Sequence, residues 1–363
     1  MISKKAIYIN APNIRHGGGL ILLEMILAAA KSLNFSIKGN FNDIVKYNNH
    51  IDLNDTCSFE FSESGFSNYF FPHNKNKELL MDAEQIVLFF GNLPPISKVK
   101  GISILYIHSK LLLEPVFKYK LTFSTRLRLV FEKLFIYFFY KNVDLIVVQT
   151  PSMQRLSNQI LKKRKTLAIP FFDFNPEYLG DNNKEDYDFF YPSYGYTYKN
   201  HKNLIKSLIL LSRKGVFPSL VIALDSEIDI KLIEYIKDET KKNKLKIHLI
   251  LDKDSEDMNQ YYSSCKALVW PSLTESLGIP IIEASRHDKD ILASDLDYIH
   301  DILQIDKDHC FDPHNPLSIA ECLDNYLSHR QKKEKNHKIK IQVFSGKGFI
   351  NELFSSIQWD RIK

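Results

Sequence analysis

Short apolar runs alternate with amphipathic stretches along most of this chain. Continuous apolar runs are typical of buried parallel strands, and apolar residues at every third or fourth position predict helices. In the first half the pattern predicts strands at Lys4 to Asn10, Gln85 to Gly91, Ser103 to His108 and Asp144 to Thr150. Between about Ser36 and Glu84 the chain is polar and poorly periodic, and we expect one short strand with loops there.

The second half repeats this alternation. It predicts strands at Tyr187 to Pro192, Ser219 to Leu224, Ile247 to Asp252, Ala267 to Trp270 and Asp290 to Asp297. Strand-helix units repeated in both halves predict an α/β protein with two Rossmann-like doubly wound domains, and ligands bind such sheets beyond the carboxyl ends of the strands.

The distribution of turn-forming residues suggests where the domains divide. Residues 1–170 form the predicted first domain, 171–186 a linker rich in Asp, Asn, Pro and Gly, and 187–330 the second domain. The charged tail, residues 331–363, is predicted to be helical.

Composition excludes several classes of protein. The 363 residues, 44% of them hydrophobic, are enough for two cores, and a net charge of only +5 argues against a dedicated nucleic-acid binder. We find neither a signal peptide nor the roughly 18 uninterrupted apolar residues of a membrane-spanning helix. The four cysteines fit no metal or disulfide pattern, so we expect a cytoplasmic protein. These cysteines are Cys57, Cys265, Cys310 and Cys322.

Residues 116–142 combine basic and aromatic side chains at helical spacing. The basic residues are Lys118, Lys120, Arg126, Arg128, Lys133 and Lys141. This composition is typical of a helix that lies on an anionic membrane surface, which would make the protein peripheral on the inner face of the membrane. It also suits a long helix that covers a sheet with its charges in water, and the two interpretations are compatible.

The stretch Trp270 to Ser285 carries the clearest chemistry. A buried strand leads through a polar loop into a helix that begins near Gly278 and Pro280. Amides of a first helical turn can bind a phosphate, and a glycine lets a ligand approach the backbone closely. Glu275 and Glu283 bracket this turn, and an ionised carboxylate accepts hydrogen bonds from vicinal hydroxyls of a sugar. Alternatively, Glu283 caps its own helix and Glu275 is a solvated loop residue.

Three further features stand at predicted strand ends. Gly17, Gly18 and Gly19 form a predicted loop between the first strand and a helix from about Leu20, which is not the G-x-G-x-x-G dinucleotide motif. His108 ends a strand, and Lys199 stands immediately before a helix, where its ammonium group could neutralise a diphosphate. A flexible turn and a structural histidine are the alternatives for the first two.

The pattern E-x7-E with S-L-G-I-P between the acids, after a strand that ends in Pro-Ser, resembles the nucleotide-sugar motif of retaining GT-B glycosyltransferases of the large family 4 (group 1) type. The resemblance is firm from about Asp144 to Leu327. It implies two facing domains with an interdomain crevice, and final helices that cross back to the first domain. It also implies a donor-binding stretch of Glu275, Ser276, Leu277, Gly278 and Glu283, with Glu275 on the donor sugar and Glu283 on the nucleotide ribose.

Other motifs agree with this resemblance. Lys199-Asn200 is similar to the family's K-G or K-N element, in which the lysine binds the donor phosphates, and F-D-P-x-x-P before a helix is similar to its closing element. By the same resemblance the glycines at 17–19 lie under the diphosphate, and His108 contacts the donor sugar beside the reacting carbon. The family's arginine is missing, because Tyr194 stands in its place.

Metal chemistry is not expected. Asp252-Lys-Asp254 and Asp295-Leu-Asp297 look like the D-x-D metal motif of another glycosyltransferase fold, but the order of the surrounding elements does not fit it. No zinc motif, nucleophile elbow or Walker loop is present. The chain offers no obvious protein nucleophile, which suits a reaction driven by positioning and electrostatics.

We therefore predict a metal-independent, cofactor-independent hexosyltransferase, with His108, Lys199 and Glu275 as catalytic residues. It would move a sugar, with retention, from a nucleotide-diphosphate sugar to a glycan or lipid-linked acceptor in bacterial surface polysaccharide (O-antigen-like) assembly. The alternatives are a nucleotide-sugar epimerase or hydrolase of the same fold and a two-lobed binding protein without turnover.

Overall fold

The computed structural model describes residues 6–15, 17–42, 57–62, 86–174, 185–251, 255–330 and 336–357. Most of the predicted linker, the acids Asp252 and Asp254, and the ends of the tail lie outside these residues. The described chain divides into two compact units. The first takes in residues up to 118, 122–173 and from 342 onward, and the second takes in 119–121 and 174–341.

The first unit contains a parallel seven-stranded sheet. Its strands are β1 (Ala6–Ala11), β2 (Ser36–Asn42), β3 (Cys57–Ser62), β4 (Ile86–Phe89), β5 (Ile102–Ile107), β6 (Leu145–Val148) and β7 (Lys165–Ala168). They lie in the order β3-β2-β1-β4-β5-β6-β7, so the order reverses between β1 and β4. The described parts of the segment from Ser36 hold two strands, where we expected one, because the pairing of β2 with β1 and of β3 with β2 supplies the stability that the weak apolar pattern lacks.

Among the described residues, four helices accompany this sheet. They are α1 (Gly17–Ser32), α2 (Phe123–Phe139), α3 (Pro151–Ile160) and α10 (Gly346–Ser356). The predicted helix over 116–142 is interrupted: short 3-10 turns occupy Val116–Lys118 and Tyr140–Asn142, and the Thr122 hydroxyl caps α2 by accepting from the Thr125 amide. The final helix, α10, packs on α1 within this unit, where the rings of Phe35 and Phe354 lie 5.1 Å apart.

The second unit repeats the arrangement with a parallel six-stranded sheet. Its strands, in chain order, are β8 (Tyr187–Pro192), β9 (Ser219–Leu224), β10 (Lys246–Leu251), β11 (Cys265–Trp270), β12 (Asp290–Ser294) and, after a short strand outside the sheet, β14 (Cys310–Phe311). The order is β10-β9-β8-β11-β12-β14, with its reversal between β8 and β11.

Helices of the second unit connect these strands and cover a core of apolar side chains. They are α4 (His201–Arg213), α5 (Ile230–Asn243), α6 (Ser255–Ser264), α7 (Ile279–Arg286), α8 (Asp297–Ile302) and α9 (Pro316–His329). The strands and helices predicted in this half are confirmed to within a few residues.

The charged tail is only partly helical. β15 (His337–Ile339) pairs antiparallel with β13 (Leu303–Ile305), so the prediction of a helix is wrong there. His337 is buried and Lys338 exposed, and this alternation suits a strand paired along one edge.

Candidate functional site

The predicted donor-binding residues lie at the reversal of the second sheet. β8 leads through a loop to Lys199 and α4, and the neighbouring strand β11 leads through residues 271–278 to α7. Connections that diverge from adjacent parallel strands leave space for a ligand at their carboxyl ends. The fold thus brings together two loops that are about 75 residues apart in sequence.

Lys199 and Glu275 form an ion pair at this edge. The Lys199 ammonium donates to Glu275 Oε1 over 2.6 Å, and the two side chains are only 15% and 10% exposed. The ammonium also lies 5.0 Å from the centroid of a Trp270 ring. A partly buried pair of this kind is strongly coupled, so an incoming anion would share the lysine with Glu275 or displace it.

Asn200 fixes the position of Lys199. Its backbone is left-handed, with φ of 66°, and its buried amide group donates to the carbonyls of Pro271 (3.0 Å) and Pro313 (2.7 Å). One side chain therefore joins the lysine loop, the acidic loop and the F-D-P-x-x-P element. We did not predict this role, although asparagine's tolerance of the left-handed conformation is a usable signal.

The start of α7 matches the prediction from sequence. Gly278 precedes the helix with φ of 66° and has no side chain to cap it, and Pro280 lies in the first turn. Amides at a helix start can bind an anion, although here Pro280 has no N–H and the Ile281 amide already donates to the Gly278 carbonyl over 2.8 Å. Leu277, a predicted donor-binding residue, is only 2% exposed because its side chain is buried in the core. Only its backbone is therefore left to face the loop. Ser276 is partly exposed.

Glu283 lies on the second turn of α7 and is bonded to a tyrosine. The buried Tyr262 hydroxyl donates to Glu283 Oε2 over 2.7 Å. Burial raises the pKa of Glu283 to about 7, and the hydrogen bond from Tyr262 opposes that rise. The bond that the structure shows is thus to another helix, α6, and not to the first-turn amides of α7. Sequence analysis did not single out Tyr262.

His287 contacts Tyr262, the hydrogen-bond partner of Glu283. Its ring stacks on that of Tyr262 with centroids 5.3 Å apart, and its Nε2 lies 3.0 Å from Asn259 Oδ1. Burial lowers the pKa of His287 to about 4, so the imidazole is neutral at physiological pH. A neutral imidazole stacked on Tyr262 brings no positive charge near Glu283, consistent with the raised pKa of that carboxyl.

Tyr194, which replaces the expected arginine, belongs to a row of tyrosines. We call Tyr194, Tyr196 and Tyr198 the tyrosine ladder: successive rings lie 6.2 and 5.5 Å apart, and the last two are stacked. The loop between them is fixed by Asp229, whose Oδ1 accepts from the Gly195 amide over 2.9 Å. Tyr194 and Tyr196 are about 40% exposed, so the ladder offers aromatic faces rather than a charge beside Lys199.

His108 lies at the corresponding edge of the first sheet, just after β5. Asn92, which follows β4 with φ of 65°, accepts from the backbone amides of His108 (2.8 Å) and Ser109 (3.2 Å). Its amide nitrogen therefore faces His108 Nε2, 3.0 Å away. Sequence analysis missed Asn92, because its contact depends on the pairing of β4 with β5.

These contacts determine the state of the imidazole. Because Nε2 accepts from Asn92, the proton of the neutral ring is assigned to Nδ1. Nδ1 is buried and has no hydrogen-bond partner among the residues that the structure describes. Burial lowers the pKa of His108 to about 4. His108 thus holds a buried N–H that no described residue accepts.

The three glycines form the first turn of α1 and not a loop, so this part of the prediction is wrong. Gly17 has φ of 66°, which places it at the junction. Gly19 packs on His108: a Cβ there would lie 3.1 Å from Nε2. Gly18 is exposed. The absence of side chains thus lets the helix begin close to the β5 edge, and it brings Gly19 and His108 together.

The described residues contain no group of three His, Cys, Asp or Glu side chains that could hold a metal ion. Asp295 pairs with His300, with 2.6 Å between Oδ1 and Nε2, and both side chains are exposed. The other D-x-D acids, Asp252 and Asp254, fall outside the described part of the chain.

Comparison with known proteins decides the family. Residues 176–343 match the model of the family described as glycosyl transferases group 1. This stretch is a little under half of the chain, and over it the chain is similar to the group 1 glycosyltransferases. The predicted family is confirmed, and the match contains the Lys199, Glu275 and Glu283 loops. No curated protein sequence matches the chain.

Solved glycosyltransferases share the fold over nearly the whole chain. Anabaena HepE, solved in complex with UDP and glucose, is 13% identical, with a TM-score of 0.64 over 97% of this chain and 100% of its own. TarM is 11% identical, with a TM-score of 0.67 over 98% of this chain and 99% of its own. WaaG, a glycosyltransferase involved in lipopolysaccharide biosynthesis, is 13% identical, with a TM-score of 0.60 over 88% of this chain and 90% of its own. These similarities confirm the predicted α/β fold of GT-B type with Rossmann-like domains.

Proposed function

We propose that this group 1 glycosyltransferase moves a sugar, with retention at the anomeric carbon, from a nucleotide-diphosphate sugar to a hydroxyl of a glycan or lipid-linked acceptor. The observation that carries the proposal is the Lys199–Glu275 pair, held beside the start of α7 where the second sheet reverses. A cation and the amides of a helix start suit a diphosphate, and a carboxylate suits sugar hydroxyls.

The residues of the second unit have distinct proposed roles toward the donor. Lys199 and the amides around Gly278 bind the diphosphate, Glu275 accepts from hydroxyls of the donor sugar, and Glu283 accepts from the ribose. The donor phosphates take the place of Glu275 as partners of Lys199, which frees that carboxylate for the sugar. The HepE structures with UDP and glucose, or with UDP-glucose, support a nucleotide sugar as donor.

The proposed reaction needs no protein nucleophile. The bond between the anomeric carbon and the diphosphate breaks, and its electron pair goes to the phosphate oxygen, where Lys199 stabilises the charge. The acceptor oxygen forms the new bond on the same face and passes its proton to that phosphate oxygen. His108, through Nδ1–H, is proposed to donate to the donor sugar, with Gly17 to Gly19 leaving room for the diphosphate. Neither a metal nor a cofactor takes part.

We place the reaction in the assembly of bacterial surface polysaccharide, with the enzyme in the cytoplasm and peripheral on the inner face of the membrane. The role of WaaG in lipopolysaccharide biosynthesis supports this proposal, as does the exposed surface of α2 described in the next subsection.

A donor panel tests the proposal. The thermal shift of the parent is measured with UDP-, GDP-, dTDP-, ADP- and CMP-sugars, beside Lys199→Ala and Glu283→Ala. Lys206→Ala, an exposed lysine on α4, is the matched control. A ligand at a hundred times its Kd stabilises by about 2.7 kcal/mol, a shift of about 5–10 °C. We expect one nucleotide to give this shift in the parent and the control and not in the two site variants.

Two further results would contradict the proposal. A folded parent with no response to any nucleotide sugar rules out the donor site. Turnover of the donor in the absence of any acceptor would indicate a hydrolase or epimerase, and a product with inverted anomeric configuration, seen by NMR, would rule out retention.

A further inference from the structure

Helix α2 has two apolar faces, and only one of them is used within its unit. The residues buried against the unit are Leu129, Glu132, Phe135 and Ile136. The opposite face is also apolar, with Phe123 79% and Phe138 66% exposed. A helix that merely covers a sheet carries polar residues on its outer face, so this outer face needs another explanation.

The exposed residues form one continuous stripe. They are Phe123, Leu127, Phe131, Leu134, Tyr137 and Phe138, with Phe117 from the turn before the helix. Steps of three and four residues keep the stripe on one side of the helix for about 22 Å, at about 1.5 Å per residue. Half of the large hydrophobic residues that are exposed in the described chain lie in this segment.

Basic groups border the stripe on both sides. At 100° per residue, Arg126 and Lys133 project along one margin of the outer face, and the exposed Arg128 projects about 60° beyond Phe131 on the other side. The Arg126 guanidinium lies 5.2 Å from the centroid of the exposed Phe117 ring. The acid of the helix, Glu132, faces inward, and its Oε1 lies 3.8 Å from Arg128 Nε. The outer face therefore presents aromatic rings between cations.

We propose that this stripe, together with its basic margins, lies in the interface of an anionic membrane. Aromatic and aliphatic side chains insert below the headgroups, and the flanking Arg and Lys bind lipid phosphates. A second copy fits the face less well, because it would bring the same cations together without acids to pair with them. No helix among the described residues is long and apolar enough to cross a bilayer, so the proposed contact lies along the surface. This inference does not depend on the donor site.

Sedimentation with vesicles tests the proposal. The purified full chain is mixed with phosphatidylcholine vesicles that contain either no phosphatidylglycerol or about 30% of it, at about 0.1 and 0.5 M salt. We expect binding to the anionic vesicles at low salt, and at least about tenfold weaker binding at high salt or without the anionic lipid.

Two pairs of substitutions separate the apolar and electrostatic parts. Phe131→Ser with Phe138→Ser is expected to reduce binding at least about tenfold, by removing inserted rings. Arg126→Gln with Lys141→Gln, the latter an exposed lysine in the turn after α2, should reduce it about 30-fold, since each charge near an anionic surface contributes about fivefold. The controls are Phe217→Ser, and Lys241→Gln with Lys242→Gln, which are exposed positions of the second unit.

The possible results are distinguishable. If the parent fails to bind anionic vesicles, or if the stripe variants bind as tightly as the controls, the proposal is wrong. A parent that is dimeric without lipid, and that the serine substitutions make monomeric, would assign the face to a second copy instead. All variants should keep the nucleotide-dependent thermal shift of the parent, so loss of that shift concerns the donor site alone.

Discussion

Replacing Glu283 by Gln should make the stability of this protein less dependent on pH. Burial raises the pKa of the Glu283 carboxyl from 4.5 to about 7 in the folded protein. The folded state therefore binds a proton more tightly than the unfolded state. The stability that the protonated carboxyl permits is fully present below pH 4.5 and is lost as the pH rises through about 7. Glutamine carries no charge at either pH and avoids this loss.

The size of the effect follows from the pKa. A carboxyl whose pKa rises from 4.5 to about 7 lowers the free energy of unfolding by at most about 3 kcal/mol once it is ionised. Glu283 is only partly buried, and solvent screening reduces this figure, so we expect about 1–3 kcal/mol. For a domain of this size that corresponds to about 3–10 °C in Tm.

Urea unfolding followed by circular dichroism, at several values between about pH 4.5 and 8, measures the difference between parent and Glu283→Gln. The variant should match the parent at the acid end and exceed it by the stated amount at the alkaline end. Glu321→Gln, an exposed position on α9, should show no such trend. Comparing each variant with the parent at the same pH cancels the contributions of the buried histidines.

The hydrogen bond from Tyr262 to Glu283 allows a second substitution to test the same assignment. Tyr262→Phe should lower stability at about pH 8 by about 1–3 kcal/mol, because the ionised carboxylate loses its donor. In the Glu283→Gln background the loss should be smaller, since no charge is left unpaired. A parent-to-variant difference that stays constant across the pH range would refute the assignment of Glu283 as a carboxyl raised by burial.

Three further substitutions or titrations test the loops around the site. Asn200→Gly keeps the left-handed backbone but removes the side-chain donor to the Pro271 carbonyl and one of two donors to the Pro313 carbonyl, since Asn203 also donates to the latter over 3.0 Å. It should lose about 1–3 kcal/mol, and Asn200→Ala about 1 kcal/mol more, because alanine disfavours the left-handed conformation. Equal losses in urea unfolding would contradict the backbone part. Gly19→Ala should lower turnover with little change in Tm, because its Cβ meets the imidazole of His108, whereas Gly18→Ala should retain activity. Equal turnover of the two variants would contradict this steric explanation. NMR titration of His108 should find a neutral ring down to about pH 4. The stability that the neutral ring contributes should be complete above pH 6.5, the ordinary pKa, and lost as the pH falls toward 4. A titration midpoint near pH 6.5 would show that the ring is not buried as described.

Patterns a few residues long correctly predicted the bounds of several strands and the start of one helix. β8 and β9 have the bounds predicted from their apolar runs, and the start of α7 was predicted from Gly278 and Pro280, because these residues limit their own backbone. The prediction failed where a distant residue decides the local structure. The Gly17 to Gly19 triplet indicated a loop, whereas the packing of Gly19 on His108 allows a helix to begin there.

Where the apolar pattern is weak, the secondary structure is decided by the strands that the segment pairs with. β2 and β3 lie in a segment that sequence alone read mostly as loops, and they are strands because β1 pairs with β2 and β2 with β3. Lys338 and its neighbours carry the charge of a solvated helix, yet they form β15 against β13. In both places long-range hydrogen bonds outweigh a small local propensity.

The sequence by itself determined the two α/β domains, the family resemblance and the chemical types at the proposed donor site, because these rest on apolar periodicity and on motifs a few residues long. Only the tertiary structure decided how those groups are held. Lys199 meets Glu275 across 76 positions, Asn92 orients His108, and Tyr262 on one helix bonds Glu283 on the next. Such contacts are made when strands pair and helices pack, and the burial that raises or lowers a pKa exists only after that packing.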